Sequence, residues 1–245
     1  MSGWTKKRFW QDATVVQTTA GFTVHLDDRA LKTPAKADFI VPKRSLADAV
    51  ATEWQAQVDV VKPDEMPFTR TVNSALDKVA PAHSHVADLV ADYAEFDLIC
   101  YRAETPQALI DRQAVAWDPL VSWSARALLA PLNVSFGLMP VVQPADSLAR
   151  LRRHVHAMST FQLAALHDLV ALSGSLVIGL AAARNHLKVE DLWNLSRVDE
   201  SWQAEQWETM RLRLPRPVSS GKRFSVLIVF LISVSKFCNL SVFET

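Results

Sequence analysis

Apolar and polar residues alternate along "DATVVQTTAGFTVHLDDRALKT", Asp12 to Thr33, in a stretch rich in Val, Thr and Phe. That period predicts β-strands, with Ala20-Gly21 and Asp27-Asp28 supplying turn chemistry between the runs. "DFIVP" reads as a further short strand closed by Pro42, giving a small antiparallel sheet over residues 8–42. The period then changes. Leu46, Val50 and Trp54 recur every fourth residue and form one helical stripe, suited to covering a face of the sheet. Ser45, with Asp48 three residues on, has the spacing of a capping box.

From Pro67 onward the pattern is helical almost throughout. "PFTRTVNSALDKVA" starts with proline, tolerated in a first turn because its missing donor has no partner there. "SHVADLVADYAEF" sets Val86, Leu89, Val90 and Tyr93 on one side. "PQALIDRQAVAWDPLVSWSARALLAP" predicts a helix interrupted or kinked at Pro119. "VSFGLMPVVQP" reads as an extended or loop excursion, and Asp146 as the cap of a helix carrying Leu148, Leu151, Val155 and Met158. "TFQLAALHDLVALS" and "GSLVIGLAAARN" are apolar nearly all round, which puts them at the centre of a helical bundle, with Gly174 and Gly179 permitting close helix approach. "VEDLWNLSRV" and "DESWQAEQWE" follow, with Asp199 three residues after Ser196.

The fold class is therefore α+β: a small N-terminal antiparallel sheet with a helix, then a mainly α-helical domain. We place the first domain at 1–66, the helical domain at 67–208 and an atypical tail at 209–245. The chain is 49% hydrophobic and 21% charged, with a net charge of zero, so no global field recruits nucleic acid or anionic membrane. Two cysteines far apart, Cys100 and Cys238, are no disulfide framework and suit a reducing compartment. The first residues show neither a secretory h-region nor a transit-peptide composition. The longest apolar run, Val226 to Val234, falls short of the about 20 residues a membrane span needs. Only six glycines are present, and none sits in a Walker motif or dinucleotide fingerprint, which weighs against common nucleotide-binding enzymes.

Candidate chemistry is sparse. His83/His85 and His154/His156 are two residues apart, so on a helix their rings diverge and no metal site follows. "LSGSL" lacks the glycine framing of a nucleophile elbow. Asp92, Tyr93, Asp97 and Cys100 crowd one stretch and could serve a small hydrolase or isomerase if a pocket joined them. Each also has a plain structural role as cap, solvated acid or small buried hydrophobe. Eight tryptophans stand against two tyrosines; most are expected in the core, the rest as anchors for a partner.

Several segments together resemble a known family. They are "RFW" (Arg8–Trp10), "ALKTPAK" (Ala30–Lys36), "LADAVATEWQAQ" (Leu46–Gln57), "MPFTRTVNSALDKV" (Met66–Val79), "DLICYRA" (Asp97–Ala103), "RQAVAWDPL" (Arg112–Leu120), "LSGSLVIGLA" (Leu172–Ala181) and "SWQAEQW" (Ser201–Trp207). In this order they resemble the chaperone family that assembles the F1 sector of ATP synthase by guarding its alpha subunit. The resemblance spans roughly residues 8–207. It implies a transient protein partner, the unassembled alpha subunit, which is kept from aggregating until the beta subunit replaces it. It implies no catalysis, cofactor, metal, nucleic acid, small-molecule substrate or stable membrane insertion. It implies a place in the bacterial cytoplasm, or in the mitochondrial matrix for a eukaryotic chain. The partner-binding residues expected from the matching motifs are Glu53, Trp54, Arg70, Asn73, Asp77, Glu200, Glu205 and Trp207. A general protein-interaction module with no tie to ATP synthase is the remaining alternative.

Beyond residue 208 the sequence departs from this pattern. Residues 1–208 hold 25 acids and 20 bases, a net of −5, whereas residues 209–245 hold one acid and six bases, a net of +5. Pro215 and Pro217 forbid a continuous helix, and the β-branched, uncharged apolar run is an aggregation hazard if exposed. A shifted reading frame, a variant terminus or a tether would each produce such a tail; the abruptness favours the first.

Overall fold

The alternating run folds as a hairpin. β1 (Ala13–Thr18) pairs antiparallel with β2 (Gly21–Leu26), and β2 with the short β3 (Arg29–Ala30). The first turn is Thr19-Ala20, and Gly21 already pairs with Thr18. Gly21 has φ +144°, and a Cβ there would lie 2.5 Å from the Val41 carbonyl oxygen, so only glycine lets that strand cross so closely. The second turn holds Asp27 at φ 52°, its carboxylate accepting from the backbone N–H groups of Gln11 and Asp12. "DFIVP" does not form a strand. It contributes single bridges, Lys32 to Asp38 and Phe22 to Val41, and Phe39 and Val41 are buried. The computed structural model describes residues 7–137, 139–209 and 219–235, with side chains for 7–137, 139–207 and 223–231.

α1 (Arg44–Gln55) lies on β1 and β2 and buries Leu46, Ala47, Val50 and Ala51. The expected capping box is absent: Lys43 is the N-cap and no side chain caps the helix, so Ser45 and Asp48 sit inside it. α2 (Pro67–Ser74) has its proline in the first turn, as expected, and continues as a π-helical turn, Ala75–Val79. These elements fall in one compact unit, Met1–His83 with Ser159–Ala165 and Val229–Thr245; the other unit is Ser84–Met158 with Leu166–Ile228.

In the second unit, α3 (His83–Ala91) and the 3₁₀ turn Asp92–Phe96 bury Ala87, Val90, Ala91 and Ala94. Leu89 and Tyr93, expected on the buried side, are exposed. The small alanines provide the close-packed face and turn the large side chains outward. α4 (Gln107–Ala127) runs unbroken through Pro119. Pro119 is exposed, so water can satisfy the carbonyl its ring deprives of a donor, and the expected interruption does not occur. Trp117 is fully buried on α4, its indole N–H donating to the Leu195 carbonyl at 2.7 Å. β4 (Tyr101–Arg102) and β5 (Ser135–Phe136) form a two-residue parallel pair, too short for any periodicity to announce.

α5 (Ala145–His156) starts after Pro144 with no side-chain cap; Asp146 lies in its first turn, where a carboxylate favours the helix dipole instead. α6 (Thr160–Ser173) and α7 (Leu176–Ala183) are the buried helices foreseen, with every residue of Leu176–Ala182 buried. Gly179 is the close-approach position: a Cβ there would lie 2.9 Å from both Leu166 and Val170 side chains. Gly174 differs. It occupies a φ of +71° between the helices, with only Leu98 near. α8 (Val189–Leu195) and α9 (Val198–Thr209) follow. The apolar tail run forms α10 (Ser219–Ser235), with Phe224, Leu227, Ile228, Phe230 and Leu231 buried rather than left as an exposed extended hazard. Pro215 and Pro217 lie outside the described residues. No helix among the described residues is long and apolar enough to cross a membrane.

Candidate functional site

The eight residues singled out from the motifs fall into two groups, one in each unit. In the first, Glu53 reaches from α1 to the start of α2. Its carboxylate accepts from the Phe68 N–H at 2.6 Å, the Thr69 N–H at 2.8 Å and the Thr69 hydroxyl at 2.7 Å. Burial pushes its pKa up, and those hydrogen bonds pull it partly back. Glu53 is thus the missing cap of α2, supplied from another helix. Arg70 points outward to Asp64 at 3.3 Å.

Trp54, Asn73 and Asp77 share an unusual property. The Trp54 indole Nε1, Asn73 Oδ1 and Asp77 Oδ1 are buried with no hydrogen-bond partner. The other Asp77 oxygen accepts from the Ala35 N–H at 3.0 Å, inside the "ALKTPAK" segment. Trp54 packs edge-on against Trp10 at 5.2 Å between ring centroids, and Trp10 Nε1 is likewise unpartnered. Orphaned polar atoms on this scale are uncommon in folded proteins. Here they gather on α1, on α2 and on its π turn, a distortion often kept at functional positions.

The second group lies on α9. Glu200 accepts from Arg197 at 2.8 Å, and the Arg197 guanidinium lies over the Trp193 ring at 4.7 Å. Beside them is a cleft of about 390 Å³ lined by Leu98, Trp117, Ser173, Gly174, Ser196, Arg197, Asp199, Glu200 and Gln203. Glu205 takes a bidentate grip from Arg112, at 2.6 and 2.8 Å, and that hydrogen-bonded pairing holds its carboxyl below the usual range. Trp207 is 46% exposed. Ser196 and Asp199 form no capping box: the Ser196 hydroxyl donates back to Trp193, and Asp199 accepts from Gln113 at 2.8 Å. Arg112, Gln113 and Arg197 were not singled out beforehand, although the first two lie in a quoted motif. Their reach across 93, 86 and 25 residues is a product of the fold.

The four residues of the enzyme alternative do not gather in one pocket. Asp97 and Cys100 are fully buried, whereas Tyr93 is 41% exposed. Asp92 is paired with Arg152 at 2.6 Å. Asp97 is a structural acceptor for the backbone N–H groups of Ile99 and Val177, with the Ser175 side chain also in hydrogen-bonding reach. Burial raises its pKa to about 6 and pushes the Cys100 thiol up to about 12, the opposite of an activated nucleophile. None of the four lines the cleft. Of the two histidine pairs, His154 and His156 are spoken for: His156 meets Asp88 at 2.8 Å, and His154 lies between the Leu128 carbonyl and Arg184. Of the tryptophans, Trp10, Trp117 and Trp123 are buried, while Trp54, Trp193 and Trp202 are half-buried, so fewer are core than expected.

Comparison with known proteins places relatives beside this chain. The family model described as ATP12 chaperone protein matches residues 7–125. Protein atp12, mitochondrial, of Schizosaccharomyces pombe is 24% identical over 217 residues, covering 83% of this chain and 74% of its own. The crystal structure of Atp12 from Paracoccus denitrificans superposes with a TM-score of 0.85 at 40% identity, over 93% of this chain and 98% of that one. The Atu1473 protein of Agrobacterium tumefaciens superposes at 0.86 with 35% identity, over 94% and 86%.

Proposed function

The chain belongs to the ATP12 chaperone family, and from that premise we propose that it serves ATP synthase assembly by holding the unassembled F1 alpha subunit until the beta subunit replaces it. The observation that carries this is the 40% identity to the Paracoccus Atp12 chain across 98% of that chain's length. The geometry adds support. An exposed tryptophan and two carboxylates held by arginines give α9 an apolar anchor with an exchangeable polar rim, suited to a contact that must later be given up. Glu200, Glu205 and Trp207 are the residues of this surface. Arg70, Asn73 and Asp77 supply a second polar patch along α2 and its π turn. Glu53 supports that patch by capping α2, and Trp54 is its neighbour on α1. The protein acts in the bacterial cytoplasm, or in the mitochondrial matrix if the chain is eukaryotic.

Refolding F1 alpha subunit with and without the purified protein tests this reading. Alpha subunit should stay soluble in a near-stoichiometric complex that added beta subunit dissolves. If the protein keeps alpha no more soluble than an inert control of equal mass does, the assignment is wrong.

A further inference from the structure

The second unit carries an apolar loop that no part of this reading uses. Residues 131–144 contain no Asp, Glu, Lys, Arg or His. Within them Val134, Phe136, Met139 and Val142 are 36%, 57%, 75% and 87% exposed. The loop's described residues are anchored at the neck and at β5. The buried Gln143 amide closes its neck, accepting from the Asn133 N–H at 2.8 Å and donating to the Asn133 carbonyl at 3.0 Å, while the Asn133 side chain donates to Val142 at 2.9 Å. β5 fastens the loop to β4, with the Gly137 N–H donating to the Arg102 carbonyl at 2.9 Å. In a parallel ladder alternate residues point their backbone groups to opposite sides. The N–H and C=O of Phe136 therefore face away from β4, at the open edge of a two-stranded sheet, with no partner among the described residues.

These features select an occupant. Unpaired backbone groups ringed by apolar side chains call for an added strand, the mode by which sheet edges take extended peptides. Lipid chains offer no hydrogen bonds, and the loop lacks the Lys and Arg that hold interfacial segments to anionic headgroups. The four side chains expose on the order of 400 Å², a patch large enough to mark a contact yet well short of the roughly 800 Å² per partner in a stable dimer. We propose that β5 and its flanking residues, 133–137 and 139–143, are a docking edge that takes an extended, uncharged, apolar segment of the client as a strand beside β5. For the client's identity this rests on the chaperone reading above.

The test uses the full chain against overlapping synthetic peptides spanning the F1 alpha subunit, with a parallel set spanning the beta subunit. Two variants are compared with wild type. One carries Phe136→Ser, Met139→Ser and Val142→Ser. The other, Phe136→Pro, removes the outward N–H and leaves the Gly137 bond to Arg102 in place. We expect apolar alpha-subunit peptides to bind the wild type and to bind both variants at least tenfold more weakly, with unchanged thermal midpoints. Loop-dependent binding of beta-subunit peptides alone would uphold the docking edge and overturn the alpha-subunit reading. Equal binding by either variant, or no peptide bound by wild type, overturns the proposal. So does a self-association or a binding to neutral vesicles that the triple variant abolishes.

Discussion

Glu53 grips Thr69 twice, accepting from its backbone N–H at 2.8 Å and from its hydroxyl at 2.7 Å. Removing that carboxylate strips α2 of its only cap and orphans the Phe68 N–H as well. Glu53→Ala should therefore cost about 2 kcal/mol of stability in urea unfolding, and Glu53→Gln about half as much. Unchanged stability together with weakened alpha-subunit binding would instead make Glu53 a contact residue.

Trp54 stacks its edge on Trp10, which is itself 3% exposed. Trp54→Arg would drive a charge into this pair, at a cost of about 3 kcal/mol or more. The expected result is loss of soluble, cooperatively unfolding protein. A variant that melts like wild type but no longer holds client would show that the ring faces the partner.

Asp97 supplies the pH dependence. Its folded pKa of about 6 lies above an unfolded value of about 3.9. Because the folded state holds the proton more tightly, the associated stability is fully present below about pH 4 and is lost as pH rises through about 6. The stability of wild type relative to Asp97→Asn should thus grow by about 2 kcal/mol between pH 7 and pH 4.5. A difference that stays flat, or shrinks on acidification, would contradict the buried geometry.

Gly179 leaves no room for a methyl group between α6 and α7, with Leu166 and Val170 each at 2.9 Å from the added carbon. Gly179→Ala should lower stability by about 1–3 kcal/mol despite the better helix propensity of alanine. Calorimetry reads this directly, and a raised melting temperature would refute the packing account.

On α9, Trp207→Ala should weaken alpha-subunit binding about tenfold, chiefly through faster dissociation. Glu205→Ala should slow association and flatten its salt dependence. Neither should move the thermal midpoint, since Trp207 is largely exposed and the Glu205–Arg112 pair is solvated. Surface plasmon resonance at two ionic strengths separates the two effects.

Periodicity carried much of the fold. The stripe of Leu46 and Val50 followed from spacing, the hairpin from alternation with its turn residues, and the buried α6–α7 pair from segments apolar nearly all round. It failed where tertiary partners override local rules. α3 packs through alanines, so Leu89 and Tyr93 face outward against their apolar character. α1 and α5 begin without the caps their nearby Ser45 and Asp146 suggested, because Lys43 and Pro144 precede them as N-caps. α10 is helical despite its β-branched residues, since Phe224 and Trp193 give it an aromatic contact no local window contains. The site was legible as motifs but not as roles. That Glu53 caps a distant helix, or that Arg112 clamps Glu205, depends on residues brought together only by the fold.

The Asp97–Val177 bond spans 80 residues, and the neighbouring Leu98 N–H binds the Gly174 carbonyl. On a ribosome, "DLICYRA" emerges long before α7. Until α7 arrives, Asp97 has no Val177 donor and remains a hydrated carboxylate, so this apolar segment cannot be sealed into a core. Nor is the start of α7 satisfied locally in full: Ser175 caps the Ile178 N–H, but the Val177 N–H takes its acceptor from Asp97, 80 residues upstream. Completion of the second unit is thus tied to late synthesis by a non-local contact of the kind that slows folding. A chain of a chaperone family would itself pass through an unsheltered interval during its synthesis.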